Sequence, residues 1–376
     1  MKRLVLLLLT LVATACCTND AVQLSDFSVE AYTPRYATGF EILRTPTGES
    51  TLLRVHNPWQ GAGKTITELL IRRADEPIPA GYGGQVLDGE AKRLICLSST
   101  YVAMLDAIGE VERVVGVSGA NFVTNAYIQT HRTKIGDVGY DGHLNYELLV
   151  ALDPDLVLLY GVDSASEMET KLRELQIPYV YIGEYLEQSP LGKAEWMVFV
   201  GELIGQRAKA EESFAPIPER YEALRAEATA AAHRPRVMLN TPYRDVWFMP
   251  SVENYTVQLI TDAGGDYLFA ENQTTRSVAI DLELAYLLTS EADYWLNLGT
   301  TASLAELKQL YPRFARVGCV ERGAVWNNTL RRSETGGNDF WESGVVHPDR
   351  VLADLIAILH PELLPNHEFI YYKQLK

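Results

Sequence analysis

One pattern occurs twice in this sequence and constrains the fold more than any other feature. Residues 144–161 and 280–299 each read as a short helix opened by a glutamate, a turn ending in aspartate, and an apolar strand that runs into glycine. A helix leading into a fully apolar strand is the unit of a parallel sheet covered by helices on both faces. Because Glu147 and Glu283 occupy matching positions, the pattern predicts two similar α/β lobes. A cleft between two lobes is a natural place for a ligand.

The two predicted lobes also begin alike. An apolar strand at 94–98 precedes a helix in the first lobe, and a strand at 237–240 precedes a helix at 255–263 in the second. The segment between the lobes has helical spacing and predicts one long connecting helix. The predicted division is a lipoprotein signal peptide at 1–15, a β-rich N-terminal extension at 26–90, an α/β lobe at 92–188, a connecting helical segment at 189–232 and a second α/β lobe at 236–376.

The start of the chain is typical of an export signal. A basic start at 1–3 is followed by an apolar run at 4–9 and by small residues directly before Cys16. The run is shorter than the roughly 20 apolar residues of a membrane-spanning helix, and the small residues stand where a signal peptidase cuts. They resemble a lipobox, which predicts a lipidated Cys16 as the first residue of the mature chain. The alternative is ordinary secretion, with Cys16 and Cys17 as free thiols.

Composition excludes several classes of protein. The chain has 47% apolar residues, as expected of a globular core, and a formal net charge of −16 at pH 7. Such a surface repels nucleic acids and anionic membranes. After Cys17 only Cys96 and Cys319 remain, one in each predicted lobe. We therefore expect no disulfide framework and interpret both as buried small apolar residues.

Two glycine-containing stretches approach known catalytic motifs but do not match them. Gly61–Thr65 contains a Gly-Lys-Thr sequence, yet the glycine that a phosphate-binding loop requires is replaced by Pro58. Gly116–Ala120 lacks the final glycine of a hydrolase nucleophile elbow. The sequence therefore predicts neither nucleotide binding nor a serine hydrolase, and we predict no enzyme activity and no cofactor.

The histidines show no metal-ligand pattern. Seven are present, and none pair at a spacing typical of zinc or manganese sites. His143, four residues before Glu147, is the one that would face the cleft and ligate a haem or corrin metal; the alternative is a hydrogen-bonded structural residue. No resident metal is predicted.

Three segments carry a resemblance to a known family. Residues 94–109, 147–161 and 348–355 resemble the helical-backbone periplasmic binding proteins, which are the substrate-binding components of ABC importers for vitamin B12, ferric siderophores and haem. The resemblance covers roughly residues 92–376 and leaves 26–90 unmatched. It implies two Rossmann-like lobes joined by one long helix, with a metal chelate held between them.

The resemblance also implies a role for the repeated glutamates. Glu147 and Glu283 match the two glutamates, one per lobe, with which the vitamin B12-binding protein docks onto arginines of its permease. Two carboxylates at opposite ends of a rigid body would fix its orientation by charge-assisted pairing. The alternative is that each is only an acidic residue in the first turn of a helix, where the helix dipole stabilises it.

We expect the ligand to lie at the carboxyl ends of the strands. Aromatic faces suit a planar porphyrin, corrin or catecholate, and arginine suits an anionic siderophore or a propionate. The predicted ligand-binding residues are Tyr140, Tyr160, Tyr243, Trp247, Arg276 and Trp341. The neighbouring pair Arg331 and Arg332 either reaches the cleft or lies in a solvated loop, and we favour the loop.

Two classes of function remain. The favoured one is a lipid-anchored receptor on the periplasmic face of a bacterial membrane that delivers a metal chelate, an iron complex first and cobalamin or haem as alternatives, to an ABC permease and its ATPase. The other is an enzyme or chaperone that handles such a chelate outside transport.

Overall fold

The structure is a computed structural model that describes residues 22–140, 143–162, 167–244 and 246–376. The predicted signal peptide and Cys16 lie outside these residues. The described chain opens with a five-stranded sheet in sequential order. Its strands are β1 (Val29–Tyr32), β2 (Phe40–Arg44), β3 (Thr51–His56), β4 (Ile66–Arg72) and β5 (Gln85–Asp88). The first four pair antiparallel, whereas β5 runs parallel to β4.

The first lobe is a parallel five-stranded sheet with helices between its strands. Its elements are β6 (Leu94–Cys96), α1 (Ser99–Ile108), β7 (Val114–Val117), α2 (Ala126–Thr130), β8 (Gly136–Asp137), α3 (Tyr146–Ala151), β9 (Leu156–Leu159), α4 (Glu167–Glu174) and β10 (Tyr179–Tyr181). The strand order β10-β9-β6-β7-β8 reverses between β6 and β9. That reversal is where open α/β sheets bind ligands, outside the carboxyl ends of the strands. Both strands are fully buried because they consist only of apolar residues.

Three helices lead from the first lobe to the second: α5 (Pro190–Leu203), α6 (Arg207–Phe214) and α7 (Pro216–Thr229). Ala215, between α6 and α7, keeps helical angles (φ −48°, ψ −41°), and its N–H donates to Glu211 O at 2.9 Å. The ladder is interrupted because Pro216 and Pro218 have no N–H. The backbone from 207 to 229 therefore forms one long connecting helix, which confirms the predicted fold class.

The second lobe repeats the plan with additions. Its elements are β11 (Arg236–Leu239), β12 (Trp247–Met249), α8 (Tyr255–Asp262), β13 (Asp266–Tyr267), β14 (Val278–Ile280), α9 (Leu282–Glu291), β15 (Tyr294–Leu296), α10 (Leu304–Leu310), α11 (Gly318–Glu321), β16 (Val325–Asn327), α12 (Ser343–Val346), α13 (Pro348–Leu359) and β17 (Lys373–Gln374). The sheet order is β13-β11-β15-β16-β17, with β17 antiparallel and the order reversing between β11 and β15. Strands β12 and β14 form a separate antiparallel pair. Short 3-10 turns occur at Leu24–Asp26, Val111–Arg113, Glu184–Leu186, Pro312–Phe314 and Asp339–Trp341.

The repeated pattern forms equivalent units in the two lobes. Helices α3 and α9 each begin after a capping residue, since the Asn145 side chain accepts the Leu148 N–H and the Asp281 side chain accepts the Leu284 N–H. Such caps satisfy donors that the first helical turn leaves unpaired. Each helix then leads into the strand that pairs with the first strand of its lobe.

Buried carboxylates attach the N-terminal sheet to the rest of the molecule. Glu195 of α5 is fully buried, and it accepts the hydroxyl of Tyr32 at 2.7 Å and three backbone N–H groups from 35–37 at 2.7–2.8 Å. Glu187, just before α5, accepts both backbone N–H groups of 38–39 at 2.9 Å. Hydrogen bonds to a charged acceptor are stronger than neutral ones. The N-terminal extension is therefore an integral part of the fold.

Two further sequence expectations concern the core and the membrane. Cys96 and Cys319 are both buried free cysteines, and burial raises the pKa of the Cys319 thiol to about 11. Each packs as a small apolar residue, as predicted. No helix within the described ranges combines the length and the apolar character needed to cross a membrane.

Candidate functional site

Two adjoining cavities form a cleft beside the second lobe. The first, which we call the loop cavity, has a volume of about 490 Å³ and is lined by the N-terminal sheet, the first lobe and the second lobe. The second, which we call the asparagine cavity, has a volume of about 530 Å³ and lies mainly on the second lobe. Asn254, Tyr255 and Ser277 line both. Each volume is in the range of small-molecule sites, roughly 300–1,000 Å³.

The asparagine cavity lies at the carboxyl ends of three neighbouring strands. Asn240 follows β11, Asn297 follows β15, and Asn328 follows β16, and all three line the cavity. Asn240 and Asn297 have φ values of +66° and +61°, a left-handed backbone that asparagine tolerates better than most residues. The cavity thus occupies the reversal between β11 and β15, where a ligand is expected.

The sequence analysis did not identify these asparagines, although a signal was present. Two apolar residues followed by an asparagine occur at 238–240, 295–297 and 325–327, and the cavity residue Asn328 directly follows the last of these asparagines. In the structure the Asn240 amide donates to Phe248 O at 3.0 Å, and the Asn297 side-chain oxygen accepts the Tyr372 hydroxyl at 2.9 Å. These bonds fix a neutral, polar wall.

Two arginines line the cleft, and the loop cavity is also lined by two carboxylates, Glu187 and Glu253. Arg276 lines the loop cavity and Arg332 lines the asparagine cavity. Across the described ranges, neither guanidinium has a carboxylate within 4.0 Å, whereas the adjacent Arg331 pairs with Asp339 at 3.0 Å. Unpaired guanidinium groups in an acidic chain favour an anionic ligand. Arg331 and Arg332 are both exposed in an irregular segment, as favoured from the sequence, and Arg332, which forms a bridge with Asn338, also lines the asparagine cavity.

A buried lysine supports the wall between the two cavities. The Lys193 ammonium lies 4.6 Å from the centroid of the Tyr255 ring and donates to Glu184 O at 2.9 Å. Burial lowers the pKa of Lys193 and raises the pKa of Glu184. A cation over an aromatic face is attractive, most strongly where water is excluded. Tyr255 is therefore held in place at the junction of the cavities.

Comparison with known proteins is consistent with this architecture. The family model described as "Periplasmic binding protein" matches residues 94–325. The chain belongs to the periplasmic binding protein family. The match includes the first lobe, the connecting helix and the second lobe as far as the start of β16, and it leaves out the N-terminal sheet and residues 326–376.

Individual relatives of this periplasmic binding protein are distant. It is 26% identical to the uncharacterized lipoprotein MJ0878 of Methanocaldococcus jannaschii over 82% of this chain and 77% of that protein. A periplasmic haem-binding protein of Pseudomonas aeruginosa superposes with a TM-score of 0.57 at 17% identity, over 76% of this chain and 98% of the other. A periplasmic binding protein of Veillonella parvula gives a TM-score of 0.59 at 15% identity, over 84% and 99%. At these identities the structures show a shared fold.

Two of the predicted ligand-binding residues line the cleft of this binding protein. Arg276 lines the loop cavity, and Trp341, 46% exposed, lines the asparagine cavity. Tyr140 lines neither cavity; its ring is 6.3 Å from that of Phe122, which in turn would be 3.3 Å from a Cβ atom on the cavity residue Gly336.

The other three predicted residues lie elsewhere. Trp247 is fully buried, stacks on Trp295 at 5.6 Å and donates its indole N–H to Leu239 O. Its assignment to the ligand surface is therefore corrected, because it belongs to the core of the second lobe. Tyr243 is 66% exposed and does not line either cavity. Tyr160 packs against the core, at a strand end that Trp59 covers.

The remaining candidates concern metal binding and docking. Within the described ranges, no group of three or more His, Cys, Asp or Glu side chains is arranged to hold a metal ion. His143 is exposed. Glu147 and Glu283 are also exposed, and Glu283 pairs with Arg313 at 3.0 Å. Their role in docking stays a prediction.

Proposed function

We propose that this chain is the substrate-binding lipoprotein of an ABC importer. It captures an anionic metal chelate, a ferric siderophore or related iron complex, between its lobes and delivers it to a membrane permease and its ATPase. The observation that carries the proposal is the pair of unpaired guanidinium groups, Arg276 and Arg332, in adjoining cavities. Arginine recognises carboxylate and other anionic oxygens with a planar fork of donors.

The other residues of the cleft are suited to binding a small metal chelate with planar groups. Trp341 offers an exposed aromatic face, and the asparagines offer neutral donors and acceptors. Haem is the second candidate. The similar protein from Pseudomonas aeruginosa is a haem-binding protein, and the two arginines suit its propionates. Cobalamin remains an alternative of the same type.

Native mass spectrometry tests the proposal directly. Protein lacking residues 1–17 is incubated with cyanocobalamin, haemin, a ferric hydroxamate and a ferric catecholate. We expect one anionic iron complex to be retained at one-to-one stoichiometry. Replacing Arg276 or Arg332 by Ala should weaken its binding about tenfold or more, the scale of one lost charge-assisted contact.

The matched control is Arg316→Ala, since Arg316 is exposed and lines neither cavity. It should bind like the wild type. Retention of none of the chelates, or equal effects of all three substitutions, would contradict the proposal.

Anchoring at the periplasmic face of the membrane is part of the proposal. It is supported by the small residues before Cys16 and by the lipoprotein name of the relative MJ0878. Cys16→Ser should release the protein from membranes into the soluble fraction on cell fractionation. Cys17→Ser should leave it membrane-bound, and the opposite result would move the lipidation site.

A further inference from the structure

The loop between β3 and β4, residues 57–65, reaches from the N-terminal sheet into the cleft. Trp59, Gln60, Gly61 and Gly63 line the loop cavity. The family match begins only at residue 94, so this loop is an addition to the matched part of the chain. The ligand site is thus bounded by three structural units, the third being the N-terminal sheet.

The loop is fixed to the first lobe at the end of β9. The Gln60 N–H donates to Val162 O at 3.0 Å, and the Trp59 ring centroid lies 5.5 Å from that of Tyr181. A Cβ atom at Gly161 would be 3.0 Å from the Trp59 Cβ and 3.1 Å from Pro58 O, so a larger residue there would push the loop away by a few tenths of an ångström. These contacts bring the loop over the strand end where the sequence analysis expected the ligand.

The loop also faces the second lobe. A Cβ atom at Gly61 would lie 3.9 Å from the Arg276 guanidinium. Gly61 and Gly63 have φ values of +78° and +70°, which glycine adopts without strain. Neither of their N–H groups has a hydrogen-bond acceptor among the residues that the structure describes. The loop cavity is therefore lined by two glycines with N–H groups free in the described chain and by the Arg276 guanidinium, together with the carboxylates of Glu187 and Glu253.

We propose that the 57–65 loop is a third wall of the ligand site and that an anionic group of the chelate binds between the Gly61–Gly63 backbone and the Arg276 side chain. This inference rests on the proposed function, because it assigns a position to the charge of the chelate. Backbone N–H groups in turns bind anions in many proteins, and here the Gly61 and Gly63 N–H groups flank Ala62, whose own N–H donates to Trp59 O at 3.1 Å. The glycine stretch that fails as a phosphate-binding loop thus acquires a role in anion recognition.

A pair of substitutions at Gly61 isolates the charge. Asn and Asp have similar shapes and both tolerate positive φ, so Gly61→Asp and Gly61→Asn differ mainly by one carboxylate next to Arg276. The probes are a ferric tricatecholate and haemin, which are anionic, and an uncharged ferric trihydroxamate. We expect Gly61→Asp to bind the anionic probe at least about tenfold more weakly than Gly61→Asn, since like charges repel and Arg276 becomes paired.

Gly81→Asp is the matched control. Gly81 has φ +74° and is in the same sheet domain, with nothing within 4 Å of its Cβ position, and it lines neither cavity. This variant should bind every probe like the wild type. Thermal denaturation of all three variants checks that each is folded.

Loop replacement provides a second test. Replacing residues 58–64 by Asn-Gly connects β3 and β4 with a two-residue turn. Because this removes one charge-assisted contact, the affinity for the anionic probe should fall about tenfold or more. The same replacement of 45–50, at the opposite end of β3, should leave the affinity for the anionic probe unchanged.

The outcomes separate the two proposals. If the wild type binds an anionic probe, and Gly61→Asp and Gly61→Asn bind it with equal affinity, the loop inference is overturned and the import function stands. Binding of the uncharged probe alone would also overturn it, and binding of none would overturn both proposals.

Discussion

The backbone N–H of Thr124 in the first lobe donates a 2.7 Å hydrogen bond to the carboxylate of Glu342 in the second lobe. The Thr124 hydroxyl also donates to Asp339 at 3.3 Å. Glu342 is only 2% exposed, and burial, with a smaller contribution from the Asp339 charge, raises the pKa of Glu342 to about 7. A titratable acid therefore lies directly at the contact between the lobes.

The stability of the protein should fall as this group ionises. The unfolded Glu342 titrates near pH 4.5, and the folded one near pH 7. Between these values the unfolded chain gains more from ionisation, so stability is lost as pH rises through this window. Glu342→Gln keeps an oxygen acceptor for Thr124 but does not titrate. Relative to wild type it should gain up to about 3 kcal/mol between about pH 4.5 and pH 8, measured by urea denaturation.

Two features make that comparison specific. Burial lowers the pKa of His347 to about 4, so His347 changes the stability with pH in the opposite direction. Its contribution is the same in variant and wild type and cancels in the difference between their free energies of unfolding. Glu334→Gln, an exposed change nearby in the chain, should keep the wild-type pH dependence. A Glu342→Gln curve parallel to that of wild type would show that Glu342 does not titrate in this window.

The N-terminal sheet should depend on Glu195. Glu195→Ala leaves three backbone N–H groups and the Tyr32 hydroxyl without their acceptor, and each unsatisfied buried donor costs about 1–3 kcal/mol. We expect a loss of at least about 3 kcal/mol in the free energy of unfolding, with faster amide exchange at 29–44. Glu212→Ala, an exposed change on α6, should cost less than about 0.5 kcal/mol. A similarly small loss for Glu195→Ala would mean that water replaces the carboxylate.

The placement of the two tryptophans predicts opposite phenotypes. Trp247→Phe removes the indole hydrogen bond to Leu239 and part of the packing on Trp295, so it should destabilise the protein by about 1–3 kcal/mol and leave chelate affinity unchanged. Trp341→Ala should change stability by less than about 0.5 kcal/mol and weaken chelate binding about fivefold or more, as expected for a lost aromatic contact. Denaturation and binding titrations on the same samples separate the two. Weaker chelate binding by Trp247→Phe would mean that Trp247 contributes to the ligand site after all.

The sequence predicts those features of the fold that depend on interactions between residues close together in the chain. The repeat around Glu147 and Glu283 gave the two lobes, because helix and strand periodicity are local signals. The pairing partner of β5 and the position of the 57–65 loop depend on contacts between distant segments, for which one sequence has no pattern.

The site shows the same division. Arg276 and Trp341 were predicted from residue type and from their places before helices of the second lobe, and both line the cleft. Trp247 was predicted because it follows the first strand of the second lobe, but it packs inward, since an aromatic residue near a strand end suits a core or a cleft equally. The asparagines after β11, β15 and β16 carried a repeated local signal that an emphasis on aromatic residues overlooked.

Docking onto a permease should require both Glu147 and Glu283. Each is exposed in the first turn of an equivalent helix, and neither lines the cleft. The double variant Glu147→Ala/Glu283→Ala should therefore bind the chelate with wild-type affinity yet fail to support uptake of labelled chelate by cells. Loss of one carboxylate should reduce uptake partially, because the other lobe still pairs.

The control for this experiment has to remove the same charge from a different surface. Glu212→Ala/Glu227→Ala takes two exposed carboxylates from the connecting helix and should leave uptake intact. Arg313→Ala frees Glu283 from its 3.0 Å partner, and uptake should be retained because the exposed pair is worth no more than about 1 kcal/mol. If the two double variants take up chelate equally, the first-turn glutamates serve their helices alone, and the permease recognises another surface.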